Sequence, residues 1–291
     1  MKKSNEKLID LDIAVIRALN LFSKEKIPKI SIKFRRPLVV GSGNALVAGR
    51  ILFDEKDSIF ADEGNYKNKL KRIDGAVLIS ASGGKHSPGI AKYLKKKKIK
   101  TILLTNNENA LASEFVSKFY VFPKNKEPYT YNTSSYLSMV LGKTKENSKD
   151  ILKEVKKIKV PNLRKYDSYY FVIPRKYELV REMFLTKFDE LFGSRITGRV
   201  FTIEQTKHAK TIVSSEKELF VYIGEKSEMF GEHKNHFHIN PKTLNYGMLI
   251  ALGYYFIGKI QKQNPDYFKR NIGRYVKEAS KLFGQKIEVM E

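Results

Sequence analysis

The sequence predicts an α/β fold of two consecutive three-layer αβα units, each with a mainly parallel sheet, followed by C-terminal helices. Three observations lead to this prediction. Short apolar runs alternate with helical segments, the alternation starts again after a lysine-rich stretch, and the two halves begin with similar segments. Strands that alternate with helices are typical of parallel sheets covered by helices on both faces.

The first half shows the clearer alternation. Leu11, Val15 and Leu19 recur at helical spacing and predict an opening helix over residues 5–23. Apolar runs predict strands at residues 37–40, 58–61, 76–79, 101–104 and 120–122. Helices are predicted to end at residue 53 and to cover residues 66–73, 88–97, 110–118 and 133–141, and a continuation of the last helix to residue 158 is left open.

The second half repeats the pattern with fewer elements. Strands are predicted at residues 169–173, 198–203 and 218–223, and helices at residues 177–192, 244–263 and 265–283. Its opening segment, YYFVIPRKYELVREMF, resembles the earlier PLVVGSGNALVAGRIL, which makes a weak internal repeat. The lysine-rich, glycine-free segment 143–159 is the best boundary, so residues 1–158 are expected to form the first unit and 159–291 the second.

The composition excludes several classes of protein. An apolar fraction of 42% with 12% aromatic residues is enough for a core, so the chain is not expected to be disordered. The chain contains no cysteine, which excludes disulfides, thiolate metal sites and a cysteine nucleophile. The longest uncharged stretch, residues 243–258, is too short to cross a membrane. We therefore expect a cytoplasmic protein with no membrane partner.

The formal net charge of +24 raises the question of nucleic-acid binding, which depends largely on phosphate neutralisation by lysine and arginine. The charge is mostly lysine and is spread along the chain. Its densest run, residues 95–98, ends a predicted helix, where the helix dipole favours cations. From the sequence we therefore favour a solvated lysine-rich surface over a nucleic-acid site, which stays an open alternative.

A serine–glycine turn follows the strand at residues 76–79. Ser80 and Ser82 are two positions apart, so their hydroxyls can point the same way. Gly83 allows close backbone approach or a positive φ. Ser87 is predicted to cap the next helix, with Pro88 at its first position. Hydroxyls, N–H groups and the positive end of a helix dipole would then meet at one point, which is typical of a phosphate site.

A second turn of the same kind follows the strand at residues 37–40. It consists of Gly41, Ser42, Gly43 and Asn44, and it offers the same chemistry at the carboxyl end of a neighbouring strand. Ligands of open parallel sheets bind at such ends. Neither turn matches a nucleotide-binding fingerprint, so the predicted phosphate need not belong to a nucleotide. Ordinary strand-to-helix turns remain the alternative for both.

Three segments carry a family resemblance: VVGSGNALVAGRIL, VLISASGGKHSPGIAKYLKKKKIKTILLTN and EPYTYNTSSYLS resemble a sugar isomerase (SIS) domain. The second half resembles a more degenerate SIS domain. The double arrangement is similar to archaeal bifunctional phosphoglucose/phosphomannose isomerases and to the isomerase half of glucosamine-6-phosphate synthases. The family motif S-x-S-G-[ENGQ]-T binds the sugar phosphate, which implies this role for Ser80, Ser82 and Gly83, with Lys85 replacing the threonine. The resemblance gives the turn at residues 41–44 the second phosphate contact.

The resemblance also implies catalytic residues. Glu190 aligns with the glutamate base that moves a proton between C1 and C2, and His208 aligns with the histidine that opens the sugar ring. The two residues are two positions further apart than in the family. Arg274 takes the place of an assisting lysine and is expected to act electrostatically, with Lys277 as an alternative.

The resemblance further implies that Thr133 and Ser134 line the sugar pocket, although helix capping explains them equally well. His233, His236 and His238 form an H-x-x-H-x-H pattern, but no set of carboxylates or thiolates accompanies them at convincing spacing, so we expect no metal. We expect no cofactor either.

The implied function is a metal-free aldose–ketose isomerase of sugar phosphates, with fructose 6-phosphate and glucose 6-phosphate or mannose 6-phosphate as the expected pair. A homodimer that shares residues between subunits is expected by resemblance. The main alternative is a non-catalytic phosphosugar-binding protein.

Overall fold

The computed structural model describes residues 8–225, 227 and 229–291. Its first sheet contains five parallel strands in the spatial order β2-β1-β3-β4-β5. The strands are β1 Pro37–Val40, β2 Ile59–Ala61, β3 Gly75–Ile79, β4 Thr101–Thr105 and β5 Lys118–Val121. The three central strands read PLVV, GAVLI and TILLT and are buried throughout. Such continuous apolar runs are typical of parallel strands that are covered on both faces.

The order of these strands creates a crevice. β1 pairs with β2 on one side and with β3 on the other, so the sheet grows in opposite directions from the β1–β3 pair. This is a topological switch point, where open α/β sheets bind ligands beyond the carboxyl ends of their strands. Both serine–glycine turns of the sequence follow these two strands.

The second sheet contains four parallel strands in the order β7-β6-β8-β9. They are β6 Ser168–Ile173, β7 Thr197–Thr202, β8 Glu218–Ile223 and β9 His236–Ile239. The predicted mainly parallel α/β architecture is therefore confirmed. The sequence did not predict β9, because its two histidines interrupt the apolar pattern of a strand.

Helices surround both sheets. They are α1 Leu11–Phe22, α2 Asn44–Leu52, α3 Ser87–Lys96, α4 Thr133–Thr144, α5 Ser148–Lys157, α6 Arg181–Phe192, α7 Ile203–Lys207, α8 Tyr246–Gln263 and α9 Tyr267–Leu282. No helix in the described part of the chain is long and apolar enough to cross a membrane.

Helix α8 joins the two halves of the molecule. It packs against α1, α4 and α5 of the first half and against α6 of the second. Gly258 allows a close contact with α1, since a Cβ atom there would lie 2.0 Å from the backbone nitrogen of Asp12. One apolar core therefore extends through both halves. The boundary at residue 158 stays a prediction.

Four predicted helices differ from the structure. The helix predicted at residues 110–118 is wrong, because Leu111–Phe115 forms a 3₁₀ turn and Lys118 already begins β5. In place of the helix predicted at residues 66–73, the structure has the shorter 3₁₀ turn Tyr66–Lys69. Lys145 adopts a left-handed φ of 60° and ends α4, so the segment 133–158 divides into α4 and α5. In the prediction at 177–192, Tyr177 is non-helical and α6 starts at Arg181.

The predicted opening helix starts later than expected. The structure begins α1 at Leu11, and residues 5–7 of the prediction lie outside the described residues.

Candidate functional site

A cavity of about 370 Å³ lies at the switch point of the first sheet. Six separate segments contribute to its wall: the turns after β1, β2 and β3, α4 with the segment before it, the last turn of α6, and α9 with the residues that follow it. The polar and aromatic side chains that line it include Ser42, Glu63, Ser80, Ser82, Lys85, Lys124, Tyr129, Tyr136, Glu190, Tyr275 and Glu291.

The turn after β3 is held by its own serines. The Ser80 hydroxyl oxygen accepts a hydrogen bond from the Gly83 N–H at 3.2 Å and lies 3.2 Å from the Ser87 hydroxyl oxygen. The Ser82 oxygen accepts from the Gly84 N–H at 3.2 Å. Gly83 has a φ of 62°, and a Cβ atom there would lie 2.2 Å from the Ala110 Cβ, so only glycine fits. Both serine oxygens are therefore fixed in the cavity wall.

Helix α3 begins at this turn, one residue earlier than predicted. Ser87 is its first residue, and the capping position belongs to His86, whose side chain makes no capping bond. The predicted capping role of Ser87 is wrong, because its hydroxyl donates to the Gly84 carbonyl at 2.5 Å instead of accepting from the helix. Pro88 lies in the first turn, as predicted.

The turn after β1 lies opposite. A Cβ atom on Gly41 would lie 2.8 Å from the backbone of Ala45, so glycine is required for the tight turn. The Ser42 hydroxyl donates a hydrogen bond to the Glu63 carboxylate. Gly41 and Ser42 line the cavity, whereas Gly43 and Asn44 line a neighbouring cavity of about 440 Å³.

Lys85 places a cation at the rim of the cavity. Its Nζ lies 4.7 Å from the ring centroid of Phe283 and 5.3 Å from that of Tyr129, and it donates to the Tyr129 hydroxyl at 3.3 Å. Its φ of 52° is left-handed, a conformation that disfavours residues other than glycine. The turn thus holds a strained lysine that has aromatic contacts but no carboxylate partner in the described structure.

We expect Lys85→Gly to weaken binding of inorganic phosphate about tenfold while raising the free energy of unfolding by up to about 1 kcal/mol, because the cation is lost and the backbone strain is relieved. Isothermal titration and urea unfolding measure the two effects. Lys145→Gly is the matched control, since Lys145 is also left-handed, with a φ of 60°, but lies outside the cavity. It should gain stability and leave phosphate binding unchanged; equal weakening by both variants would contradict the role of Lys85.

Glu190 brings a carboxylate into the same cavity. It lies in the last turn of α6, and its Oε2 accepts a hydrogen bond of 2.5 Å from Lys187 Nζ. Lys187 is fully buried and also donates to the Thr130 carbonyl at 2.7 Å. Burial raises the pKa of Glu190, and the ammonium of Lys187 opposes that rise. The carboxylate is therefore positioned and partly desolvated, with a pKa above its ordinary value.

Thr130 contributes backbone strain beside this pair. Its φ of 78° is rare for a β-branched residue, and Asn132 follows with a φ of 46°. Both residues line the cavity. The Thr130 carbonyl accepts a hydrogen bond from the Nζ of the buried Lys187, which also donates to Glu190. One ammonium group therefore holds both the strained loop at Thr130 and the Glu190 carboxylate in place.

The other two predicted catalytic residues lie elsewhere. His208 follows α7 and is exposed, outside the cavity lining. The Arg274 side chain is 78% exposed and lies 3.9 Å from the Glu278 carboxylate, and Lys277 is also exposed. Their neighbour Tyr275 is the residue of α9 that reaches the cavity.

No protein-family model matches the sequence, and neither does any curated protein. Solved structures do match it. The C-terminal domain of glucosamine-fructose-6-phosphate aminotransferase from Francisella tularensis superposes with a TM-score of 0.54 at 12% identity, over 91% of this chain and 99% of that one. Glucosamine-6-phosphate deaminase from Thermotoga maritima gives 0.56 at 15% identity, over 86% and 91%. This chain has the SIS fold.

A third match with the SIS fold is the tagatose-6-phosphate ketose/aldose isomerase from Escherichia coli, with a TM-score of 0.53 at 12% identity, over 91% of this chain and 87% of that one. At these identities the likeness concerns the fold. What the switch-point cavity of this chain binds therefore depends on the side chains that line it.

Thr133 and Ser134, predicted in the sugar pocket, are buried at the start of α4 and do not line the cavity. The backbone N–H and the hydroxyl of Ser134 both donate to Glu127 Oε1, at 3.1 and 2.8 Å. Glu127 is buried, its Oε2 has no hydrogen-bond partner among the residues that the structure describes, and burial raises its pKa. These residues anchor the segment that carries Tyr129 and Thr130.

We expect Ser134→Ala to lower the free energy of unfolding by about 1–3 kcal/mol, because it removes a donor to a buried carboxylate. Ser135→Ala is the matched control: Ser135 is equally buried on the same helix, and its hydroxyl has no partner. It should be neutral or stabilising. Urea unfolding of both variants measures the difference, and equal losses would show that the bond to Glu127 contributes nothing.

Several cavity residues were not predicted. Lys124 and Tyr129 come from the segment that leads into α4, Tyr136 comes from α4 itself, and Tyr275 and Glu291 come from the C-terminal region. The backbone of Glu291 pairs with that of Glu127, with both N–H to carbonyl bonds between 2.8 and 2.9 Å. No local pattern could have found this pairing, because it joins segments far apart in the chain.

The three histidines of the H-x-x-H-x-H pattern are used in packing. His236 Nε2 lies 2.7 Å from the Phe230 carbonyl, and the His238 ring stacks on Tyr222 at 4.9 Å. Among the residues that the structure describes, no group of three or more potential ligands could hold a metal ion.

Proposed function

We propose that this protein binds a sugar phosphate in the switch-point cavity and interconverts its aldose and ketose forms. One observation carries the proposal: the Glu190 carboxylate lines the same cavity as Ser80 and Ser82, although α6 and the β3 turn belong to different halves of the chain. Hydroxyls and a positioned base on one cavity are what aldose–ketose isomerisation requires.

The phosphate would bind at the turn after β3. Ser80 and Ser82 would donate hydroxyl hydrogen bonds, and the ammonium groups of Lys85 and Lys124 would balance the phosphate charge. The acidic side chains of the lining, Glu63, Glu190 and Glu291, would face the hydroxyl-bearing part of the sugar, since a phosphate next to them would be repelled.

Glu190 would then transfer the proton. Its carboxylate takes the proton from C2 of the open-chain aldose, the electrons of the C–H bond form the cis-enediol, and the protonated carboxyl returns the proton to C1. The hydroxyl proton at O2 moves to O1 in the same sequence, so the ketose forms without a cofactor. Lys187 keeps the carboxylate oriented by its bond to Oε2. Fructose 6-phosphate with glucose 6-phosphate or mannose 6-phosphate is the proposed substrate pair.

Ring opening needs a second acid–base group. His208 is exposed and outside the cavity of its own chain. In the proposed homodimer, His208 of one subunit would reach the cavity of the other. Cross-linking and light scattering test the dimer, and His208→Ala should then slow turnover of the cyclic sugar more than that of the open-chain form.

A non-catalytic sugar-phosphate-binding role is the second candidate. It is favoured by Lys85, which stands where the family motif has threonine, and by the position of His208 outside the cavity. The test is incubation with fructose 6-phosphate in D₂O, followed by NMR, with calorimetric titration in parallel. Aldose product with deuterium at C2 supports the isomerase, whereas binding without turnover supports the binding protein. If no hexose or pentose phosphate is either bound or converted, both candidates are overturned.

A further inference from the structure

The strands of the first sheet begin at an edge that collects cations. In a parallel sheet, all amino ends lie at one edge, opposite the carboxyl edge that carries the cavity. The loops that lead into β1, β3 and β4 carry basic residues within the four positions before each strand. We call this set the basic edge; it consists of Arg35, Lys71, Arg72, Lys97, Lys98 and Lys100.

Hydrogen bonds and ring contacts show that these loops adjoin one another. The Ala76 N–H donates to the Lys100 carbonyl at 2.9 Å, which places the start of β3 beside the end of the lysine run. Lys97 Nζ lies 5.8 Å from the Tyr93 ring, and Lys67 approaches the same ring to 5.4 Å from the neighbouring segment. Since adjacent strands lie about 5 Å apart, the three loops form a row of cations about 10 Å long.

Acidic side chains do not neutralise this row. Within the described ranges, no member of the basic edge has an ion pair. The nearby Arg36 forms an ion pair with Asp57 at 3.5 Å and is therefore not a member of the basic edge. Asp74 is the acid within these loops, and its carboxylate accepts the backbone N–H groups of Arg35 and Arg36, which lowers its pKa. In these three loops, six cations therefore accompany one carboxylate that is already bound to the backbone, and Asp57 of the adjoining loop before β2 pairs with Arg36.

The opposite edge has a different balance of charge. Glu63, Glu190 and Glu291 line the main cavity together with Lys85 and Lys124, and Asp62 lines the adjoining one. Carboxylates thus offset the cations around the cavity, whereas cations outnumber carboxylates in the loops of the basic edge. An extended polyanion would therefore be attracted to the basic edge more strongly than to the cavity.

We propose that the basic edge binds the phosphate backbone of nucleic acid. A row of ammonium and guanidinium groups can contact successive phosphates and release their condensed counterions. The large apolar side chains that are exposed in the described structure lie outside these loops, so the edge offers nothing to insert into a lipid bilayer. The proposal uses none of the residues of the sugar-phosphate site and does not depend on that function.

Fluorescence anisotropy with a 20-nucleotide single-stranded RNA, the DNA of the same sequence and its duplex provides the test. For about six phosphate contacts on a single strand, binding should fall about 100-fold or more between 50 and 200 mM salt. Lys97→Glu/Lys98→Glu/Lys100→Glu should weaken binding about tenfold or more and reduce the slope of log Kd against log salt by about 2.

The matched control is Lys149→Glu/Lys156→Glu/Lys159→Glu, which changes the net charge equally at exposed lysines around α5. It should retain most of the affinity. Equal weakening by both triple variants would overturn the proposal in favour of attraction by net charge alone. Absence of binding at 50 mM salt, or tighter binding to phosphatidylserine vesicles than to any nucleic acid, would also overturn it. An unchanged circular dichroism spectrum and unchanged phosphate binding show that the edge variant is folded.

Discussion

Glu190→Gln is expected to lower the turnover of fructose 6-phosphate by about 100- to 10,000-fold, which is the usual contribution of a positioned general base. Glutamine has nearly the same shape as glutamate but cannot take the proton from carbon. Binding should be retained or improved, because a negative charge beside an anionic ligand is removed. Steady-state kinetics and calorimetric titration separate the two effects.

Asp189→Asn is the control for this variant. Asp189 is adjacent to Glu190 and has the same charge, but it is exposed and does not line the cavity. Its turnover should match that of the wild type. If Glu190→Gln keeps full turnover, or if both variants lose it equally, Glu190 is not the base. If the wild type binds sugar phosphates without any turnover, the non-catalytic candidate is supported instead.

Lys187→Met is expected to lower the free energy of unfolding by about 3–5 kcal/mol at neutral and alkaline pH, because it leaves the Glu190 carboxylate buried without its partner. Burial already raises the pKa of Glu190, and loss of the ammonium should raise it further. A carboxyl whose pKa is higher in the folded state than in the unfolded state costs stability as pH rises from the unfolded value through the folded one. The loss should therefore shrink in acid, where Glu190 is protonated.

Urea unfolding at several pH values, compared with Lys187→Met/Glu190→Gln, measures this effect. The double variant should remove the part that depends on pH and keep the part due to the lost bond to the Thr130 carbonyl. The acid limb of the pH profile of kcat/KM in Lys187→Met should also move to higher pH. A loss that is equal at all pH values and persists in the double variant would show that Lys187 acts only through packing.

The sequence alone predicted the secondary structure best where strands are short, apolar and fully buried. β3 and β4 are examples, because an uninterrupted apolar run between turn residues has few other uses. The sequence-based prediction failed at residues 110–118, which have the composition of a helix. In the structure this segment forms only one 3₁₀ turn before the chain enters β5. Local propensity does not reveal how much room the chain has between two strands.

The sequence likewise predicted only some of the residues of the candidate site. The serine–glycine turns were found because glycine is required there by backbone geometry, as the contact at Gly83 shows. Glu190 was located by resemblance, and the structure brings it to the same cavity. Tyr275 and Glu291 were not found, since side chains that close a cavity from distant segments leave no local pattern.

The sequence by itself therefore determined the α/β architecture and the two glycine-dependent turns, because alternating apolar runs and required positive φ angles are local properties. Only the tertiary structure decided which charged residues act together. Along the chain, Arg72 and Lys98 look like two members of an evenly spread population, and Glu190 and Ser80 belong to different halves. The parallel sheet gathers the first pair at its amino edge, and the packing of α6 brings the second pair to one cavity, because strand order and helix packing join residues that sequence separates.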